Sequence, residues 1–389
     1  EISVAPDVGA VSMRVETDGV AWVIFDGPGK LNILTSGVLR RLNDLLIDTE
    51  RGIADGSINA LILRSGKDGS FIAGADIDEI AAITDPHEGA EKARLGQAIF
   101  TRIARLKAPA IAAIDGICLG GGTEMILACQ YRLASDRKET RIGLPEIMLG
   151  ILPGFGGTTR LPRLVGLSNA LPIILTGKAV DARKAERIGL VDERVPTPAL
   201  YSRAHEVALI LAAGKTPTKK KPRPITAQLL DRAALGQRIV LRQARKQVMK
   251  ETRGNYPAPL KVLDILPRML RSTIEESLAV EARALGELIV TDVSKHLIHV
   301  FRLNEAAKKS PVTAPPRAVE RVAVLGAGVM GGGIAQLLAY RGFSARMKDI
   351  KPEAIGLGLK HAWDAFSKQV KRRRLERRDA QKMMQRISP

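Results

Sequence analysis

IAAIDGICLGGGTEMILACQYRLASDRKETRIGLPEIMLGILPGFGGTTR, residues 111–160, is the stretch on which the reading of this chain turns. An apolar run, 111–117, ends in Gly120, Gly121 and Gly122, and a helix-like run follows with Glu124 in its first turn. A second glutamate, Glu146, stands in a Leu-Pro-Glu step ahead of another apolar run. A helix start leaves backbone N–H groups unpaired and favours negative charge. Glycine lets an oxygen approach them closely. Such a turn suits a developing oxyanion, for which one donor contributes roughly 3–4 kcal/mol in the transition state. Two carboxylates beside it suit acid–base chemistry on a carbonyl compound. A plain strand–helix turn with surface glutamates is the alternative that the stretch alone leaves open.

Working outward, residues 11–26 read as two strands around a Thr-Asp-Gly turn. Residues 35–51 have Leu39, Leu42, Leu46 and Ile47 at helical spacing. A short strand, 60–64, precedes SFIAGADIDEI (70–80), read as strand, glycine turn and helix; a helix over 88–106 and a strand over 110–115 follow. The alternation predicts an α/β layered fold. Beyond it a short helix ends at Gly189 and a strand covers 190–195. Then GKTPTKKKPRPIT (214–226) reads as a solvated linker. Residues 227–305 are helical in pattern, with Ser272 and Glu275 spaced as a capping box, and KKSPVTAPPRA (308–318) is a second loop.

Strand–helix alternation resumes in RVAVLGAGVMGGGIAQLLAYRGFSARMKDI (321–350). Gly326, Gly328 and Gly331 form GxGxxG between a strand and a helix, and Asp349 ends the next strand. That context is what a dinucleotide-binding turn requires. The basic run 371–378 is expected on a helix with a solvated face. The expected domains are 1–200, 201–317 as a helical connector, and 318–389 as the start of a Rossmann-type domain.

The net charge of +19 belongs to the second half: residues 1–200 carry 23 Lys and Arg against 25 Asp and Glu. Basic surface attracts nucleic acid, anionic lipid or phosphorylated ligands, so peripheral membrane contact stays open. An aromatic content of 3% argues against stacking on single-stranded bases. A non-enzymatic basic binding module, recognised by salt-sensitive binding without turnover, is the competing class. Two cysteines, Cys118 and Cys129, imply no disulfide framework and fit a reducing compartment. Cys118 reads as a buried thiol, and no metal is expected at the helical pair His296 and His299. A Lys219–Lys221 contact with a ligand's phosphates competes with a plain exposed loop. The expected location is cytoplasmic, of bacterial type, with the mitochondrial matrix as the alternative.

These residues resemble the crotonase (enoyl-CoA hydratase) family. IAAIDGICLGGGTEMILA and GLPEIMLGILPGFGGTTRLPRLVG carry its signature, and FIAGADIDEI resembles its other oxyanion segment. TRGNYPAPLKVL and VAVLGAGVMGGGIAQLLA extend the likeness to the multifunctional fatty-acid oxidation α-subunits, hydratase followed by 3-hydroxyacyl-CoA dehydrogenase. The resemblance implies a crotonase-like layered fold, hydration of trans-2-enoyl-CoA in β-oxidation, and a Δ3-Δ2-enoyl-CoA isomerase side activity. It implies Glu124 and Glu146 as the catalytic glutamates, with Glu124 activating water and Glu146 supplying the α-proton. Ala75 and Gly121 would be the oxyanion donors, and Gly326, Gly328, Gly331 and Asp349 the NAD turn. The substrate would be a coenzyme A thioester and the protein partner a thiolase β-subunit. The glutamates stand 22 positions apart, more than the family spacing, and SDRKET (135–140) is the expected place of the extra residues. With the family's catalytic His–Glu motif unmatched after Asp349, no dehydrogenase activity is expected of these 389 residues.

Overall fold

The computed structural model describes residues 10–217, 233–308, 317–372 and 374–389. The Lys219–Lys221 run and most of both expected loops (218–226 and 309–316) lie outside the described residues. The chain forms two compact units, Glu1–Lys308 and Lys309–Pro389.

The first unit opens with the hairpin β1 (Val11–Val15) and β2 (Val20–Phe25), then α1 (Ser36–Asp55) and β3 (Ala60–Ser65). Thr35 caps α1 by accepting from Val38 N–H, and Gly56 ends it in the left-handed conformation. Next come β4 (Ser70–Ile72), α2 (Ile77–Ala82), α3 (Pro86–Arg105), β5 (Ala110–Ile114), β6 (Ile117–Leu119) and α4 (Gly121–Ile126). β7 (Tyr131–Ser135), β8 (Arg141–Gly143), a 3-10 turn over Pro145–Leu149, α5 (Gly157–Val165) and α6 (Leu167–Thr176) follow. β9 (Val180–Asp181), α7 (Ala182–Ile188), β10 (Glu193–Val195) and α8 (Leu200–Ala212) complete this stretch.

The large sheet has the order β1-β2-β3-β5-β7-β10, parallel except for the β1–β2 pair. Each of β3, β5 and β7 leads into a strand of a smaller sheet, β4-β6-β8-β9. Gly116 makes the crossing from β5 to β6: its φ is +79°, and a Cβ there would lie 1.8 Å from the Gly69 carbonyl oxygen. Only glycine passes.

Period-2 alternation divides the sheet residues between two cores. Val23, Leu61, Leu63, Ala112 and Ile114 face the main core, whereas Trp22, Ile62, Ile111 and Leu133 face Leu200, Ala204, Val207 and Ala208 of α8. Four further helices, α9 (Ala234–Thr252), α10 (Pro257–Met269), α11 (Ile274–Ile289) and α12 (Asp292–Ala307), belong to the same unit. The connector expected over 201–317 is therefore not a unit of its own. Val262, Leu266, Ala282, Leu285 and Ile289 are buried in the main core, which these faces complete. The α11 cap also sits one residue later than expected. Thr273 and Glu276 form the capping box, because the Ser272 hydroxyl instead donates back to Arg268 O at 3.1 Å.

The second unit contains β11 (Arg321–Leu325), α13 (Val329–Tyr340), β12 (Ser344–Lys348), α14 (Pro352–Lys371), α15 (Arg377–Met384) and β13 (Ile387–Ser388). Its sheet is three parallel strands, β11-β12-β13. The basic run 371–378 does not share one helix: it spans the end of α14, a break and the start of α15. Among the described residues, no helix is long and apolar enough to cross a membrane.

Candidate active site

β6 delivers the chain to the glycine turn, where Gly120 takes φ +53°. A side chain there would meet Glu146 Oε1 at 2.8 Å, and one at Gly122 would meet the Ile72 carbonyl oxygen at the same distance. The run is thus spent on close approach: Gly120 admits the second glutamate, and Gly122 seats α4 on β4. Gly120 N–H donates to Gly143 O at 2.9 Å, but Gly121 N–H has no acceptor among the described residues. On the opposing segment, Leu34 N–H donates to Gly74 O and Asp76 N–H to Leu34 O, while Ala75 N–H is likewise without an acceptor among the described residues.

Ala75, Gly121, Glu124 and Glu146 all line one cavity of about 540 Å³, walled by apolar groups including Leu34, Ile80, Ile83, Phe155, Leu285 and Ile289. SDRKET (135–140), the expected place of the extra residues, does not line the cavity. There Arg137 pairs with Asp115 and Asp68, and Thr140 N–H closes a turn on Arg137 O.

The two glutamates differ in partners. Glu124 is 2% exposed, and its Oε1 accepts from Phe155 N–H and Gly157 N–H, each at 2.7 Å. Glu146 Oε2 is buried without a hydrogen-bond partner. Burial pushes the Glu146 carboxyl up to about 8, with the Glu281 charge adding to it. Burial also holds Glu124 well above the usual carboxylate range, aided by Glu146 and Glu281 and opposed by the two N–H donors. Two adjacent buried carboxyls do not ionise independently. The two N–H donors favour the charged form of Glu124, and Glu146 Oε2 has no such donor.

The sequence reading missed Glu281 on α11. It is fully buried and accepts from Gly156 N–H at 2.6 Å and Thr159 N–H at 2.8 Å. The Thr158 and Thr159 hydroxyls also donate to it. Its signal was present: Glu281 falls three after Leu278 and four before Leu285, a carboxylate inside an apolar helical stripe.

In the second unit Gly331 packs so closely that a Cβ would lie 1.8 Å from Gly326 O, whereas nothing stands within 4 Å of one at Gly328. Gly328 is the N-cap of α13 and offers no side chain to its free N–H groups. Asp349 Oδ2 accepts from Ala327 N–H at 2.7 Å, which holds its carboxyl below the usual range. The four expected residues are thus gathered at one turn, and the bare helix start suits a pyrophosphate.

Cys118 and Cys129 are buried thiols pushed up to about 12 by that burial, unsuited to nucleophilic work. Among the described residues, the group with metal-ligand chemistry is Glu16, Asp18 and His205, away from His296 and His299. His205 Nε2 there lies 3.2 and 2.9 Å from the two carboxylates.

The enoyl-CoA hydratase/isomerase family profile matches residues 15–256, and that of the 3-hydroxyacyl-CoA dehydrogenase NAD binding domain matches 321–389. The fatty acid oxidation complex subunit alpha of Shewanella amazonensis is 40% identical over 377 residues, 96% of this chain and 52% of that protein. Its Vibrio parahaemolyticus counterpart is 38% identical over 383 residues, covering 97% and 53%. The chain therefore spans about half the length of these relatives. Human mitochondrial delta3-delta2-enoyl-CoA isomerase superposes with a TM-score of 0.54 at 22% identity, covering 77% of this chain and 100% of that one. An enoyl-CoA hydratase/isomerase from Xanthobacter autotrophicus Py2 gives 0.54 at 24%, covering 79% and 99%. Both show the shared fold. With the first profile running across the sheet, the glycine turn and both glutamates, the chain belongs to the enoyl-CoA hydratase/isomerase family.

Proposed function

We propose that the first unit hydrates trans-2-enoyl-CoA thioesters to 3-hydroxyacyl-CoA, a step of fatty-acid β-oxidation. The observation that carries this is the meeting, in one apolar cavity, of two N–H groups without acceptors among the described residues, a buried glutamate and a half-buried one whose Oε2 is buried. Ala75 and Gly121 N–H receive the thioester oxygen. Glu124 takes a proton from water as the water oxygen bonds to C3. The C2–C3 π pair moves toward C2 and the thioester oxygen, where the two donors meet the developing charge. Glu146 then gives its proton to C2. Water is consumed, the thioester stays intact, and proton exchange between the glutamates resets the pair. The same two carboxyls can move a proton from C2 to C4 and back, which supports Δ3-Δ2 isomerisation as a second activity of one site.

In the second unit, Gly326, Gly328, Gly331 and Asp349 would hold the ADP portion of NAD, which when bound accepts hydride from a 3-hydroxyacyl thioester. Oxidation of that kind is proposed for the longer relatives' architecture, not for these 389 residues alone. The functional division we assign is hydratase chemistry within 1–200, completed by helices from 201–317, and nucleotide binding in 318–389. The test of the main reading is to mix the purified chain with crotonyl-CoA and follow loss of the conjugated double bond. No loss, or release of free CoA thiol in its place, contradicts it.

A further inference from the structure

We propose that Glu281, on a helix more than a hundred residues beyond the glutamate pair, is a positioning residue for Glu124, acting through the turn at 155–159. The inference rests on the hydratase reading. α5 begins at Gly157 with Gly156 as its N-cap, so the helix has no capping side chain of its own. Its start leaves several N–H donors to satisfy in a buried place. Two carboxylates share them in an interleaved order. Glu124 takes Phe155 and Gly157, and Glu281 takes Gly156 and Thr159 together with the hydroxyls of Thr158 and Thr159. Glu281 thereby caps α5 from another helix. The N–H groups that grip Glu124 Oε1 alternate along the backbone with those that Glu281 grips, so neither set shifts alone.

The surroundings bear this out. Gln97 on α3 ties the two sides together, donating to Gly154 O at 2.8 Å and to Leu278 O at 3.0 Å, with Glu281 Oε1 at 3.5 Å. On the same face, a Cβ at Gly154 would lie 2.3 Å from Leu285 Cδ2, so α11 and the turn meet without spare room. Glu281 itself does not line the cavity. Apart from the charge it adds beside both glutamates, its effect on the reaction lies in where it leaves Glu124.

Glu281→Gln keeps the volume but turns one acceptor into a donor facing N–H and O–H donors. The expected result is a kcat for crotonyl-CoA hydration lowered about tenfold or more, with KM within about twofold, because the substrate cavity is intact. In the Glu124→Gln background, at a pH where Glu146 keeps its proton, the same change should cost less than about a further twofold, since the positioning route runs through Glu124. Hydrogen exchange should quicken in a peptide covering 152–161 and not in the strands of the large sheet. An unchanged kcat overturns the proposal. So does a loss that multiplies with Glu124→Gln, or exchange that quickens uniformly, either of which is the mark of a merely structural role. Should Glu281→Gln fail to fold, Thr159→Val removes one hydroxyl donor at constant shape and should show the same pattern, with Thr159→Ser restoring kcat; Thr159→Val at wild-type kcat overturns the proposal. A wild-type chain that hydrates nothing sinks the hydratase reading instead. Exchange at 152–161 then still decides the clasp: no change in Glu281→Gln refutes it.

Discussion

The chain makes two glycine-rich strand-to-helix turns, and they end in different surroundings. At the first, 120–122, Gly121 N–H faces an apolar cavity walled by Phe155, Leu285 and Ile289, with two glutamates in it. At the second, 326–331, the flanking apolar groups are open, with Leu325 and Met330 each 80% exposed. There Asp349 of the chain itself takes Ala327 N–H. Glycine patterning supplies the backbone of a site in both cases. Within these 389 residues what separates them is enclosure, which at the first turn comes from helices far along the sequence. Enclosure is also what moves carboxyl groups: burial lifts Glu124 and Glu146, while the exposed Asp349 is lowered by its donors.

The largest expected effect is at the enclosed turn. Glu124→Gln and Glu146→Gln should each lower hydration turnover at least about a hundredfold, the scale of a general acid–base group. Substrate binding, read by equilibrium titration with a CoA thioester, should change little. Near wild-type turnover in either variant would remove that residue from the mechanism. The second turn should break structurally instead. Gly331→Ala forces a Cβ onto Gly326 O and should cost the second unit about 2 kcal/mol, as overpacking does. Trp363 lies in that unit and Trp22 in the first, so denaturant unfolding followed by Trp363 fluorescence in a Trp22→Phe background reads it. Hydration by Gly331→Ala should stay at the wild-type rate; a large loss would show that the turns are not independent.

Smaller effects separate the carboxyls. With Glu146 pushed up to about 8, it holds its proton at neutral pH, and kcat should decline as pH rises through about 8. The apparent value belongs to the coupled pair. A profile flat well above that range contradicts the acid role. The smallest change is at Asp349. Asp349→Asn keeps an acceptor for Ala327 N–H and should move the Trp363 midpoint less than Asp349→Ala, which in turn should move it less than Gly331→Ala.

Local signals made much of this legible. A hairpin turn and short apolar runs announced β1, β2, β3 and β5 of the large sheet, whereas β7 was not read. Helical spacing of leucines announced α1 over 35–51, four residues short of its end at Asp55, and the glycine runs marked both turns. Long-range packing stayed hidden. The helices of 201–307 read as a connector because an apolar stripe does not say what it packs against; they belong to the first unit, with α9, α10 and α11 burying residues in its main core and α8 in its other core. Glu281 stayed unread for the same reason, although its place inside that stripe was visible. β13 is two residues, Ile387 and Ser388, too short for any period to show, and it exists through pairing with β12. The glutamate pair was readable because chemistry and turn lay within one stretch. The donors that distinguish its two members, Phe155 and Gly157, come from the start of another helix.

The central claim is that the enclosed turn adds water across a conjugated thioester with both glutamates at work. Incubating the purified chain with crotonyl-CoA in D₂O and weighing the product by mass spectrometry tests it most directly. The account predicts 3-hydroxybutyryl-CoA with the thioester intact and one carbon-bound deuterium, at C2. Unchanged crotonyl-CoA, or free CoA from cleavage of the thioester, would contradict it.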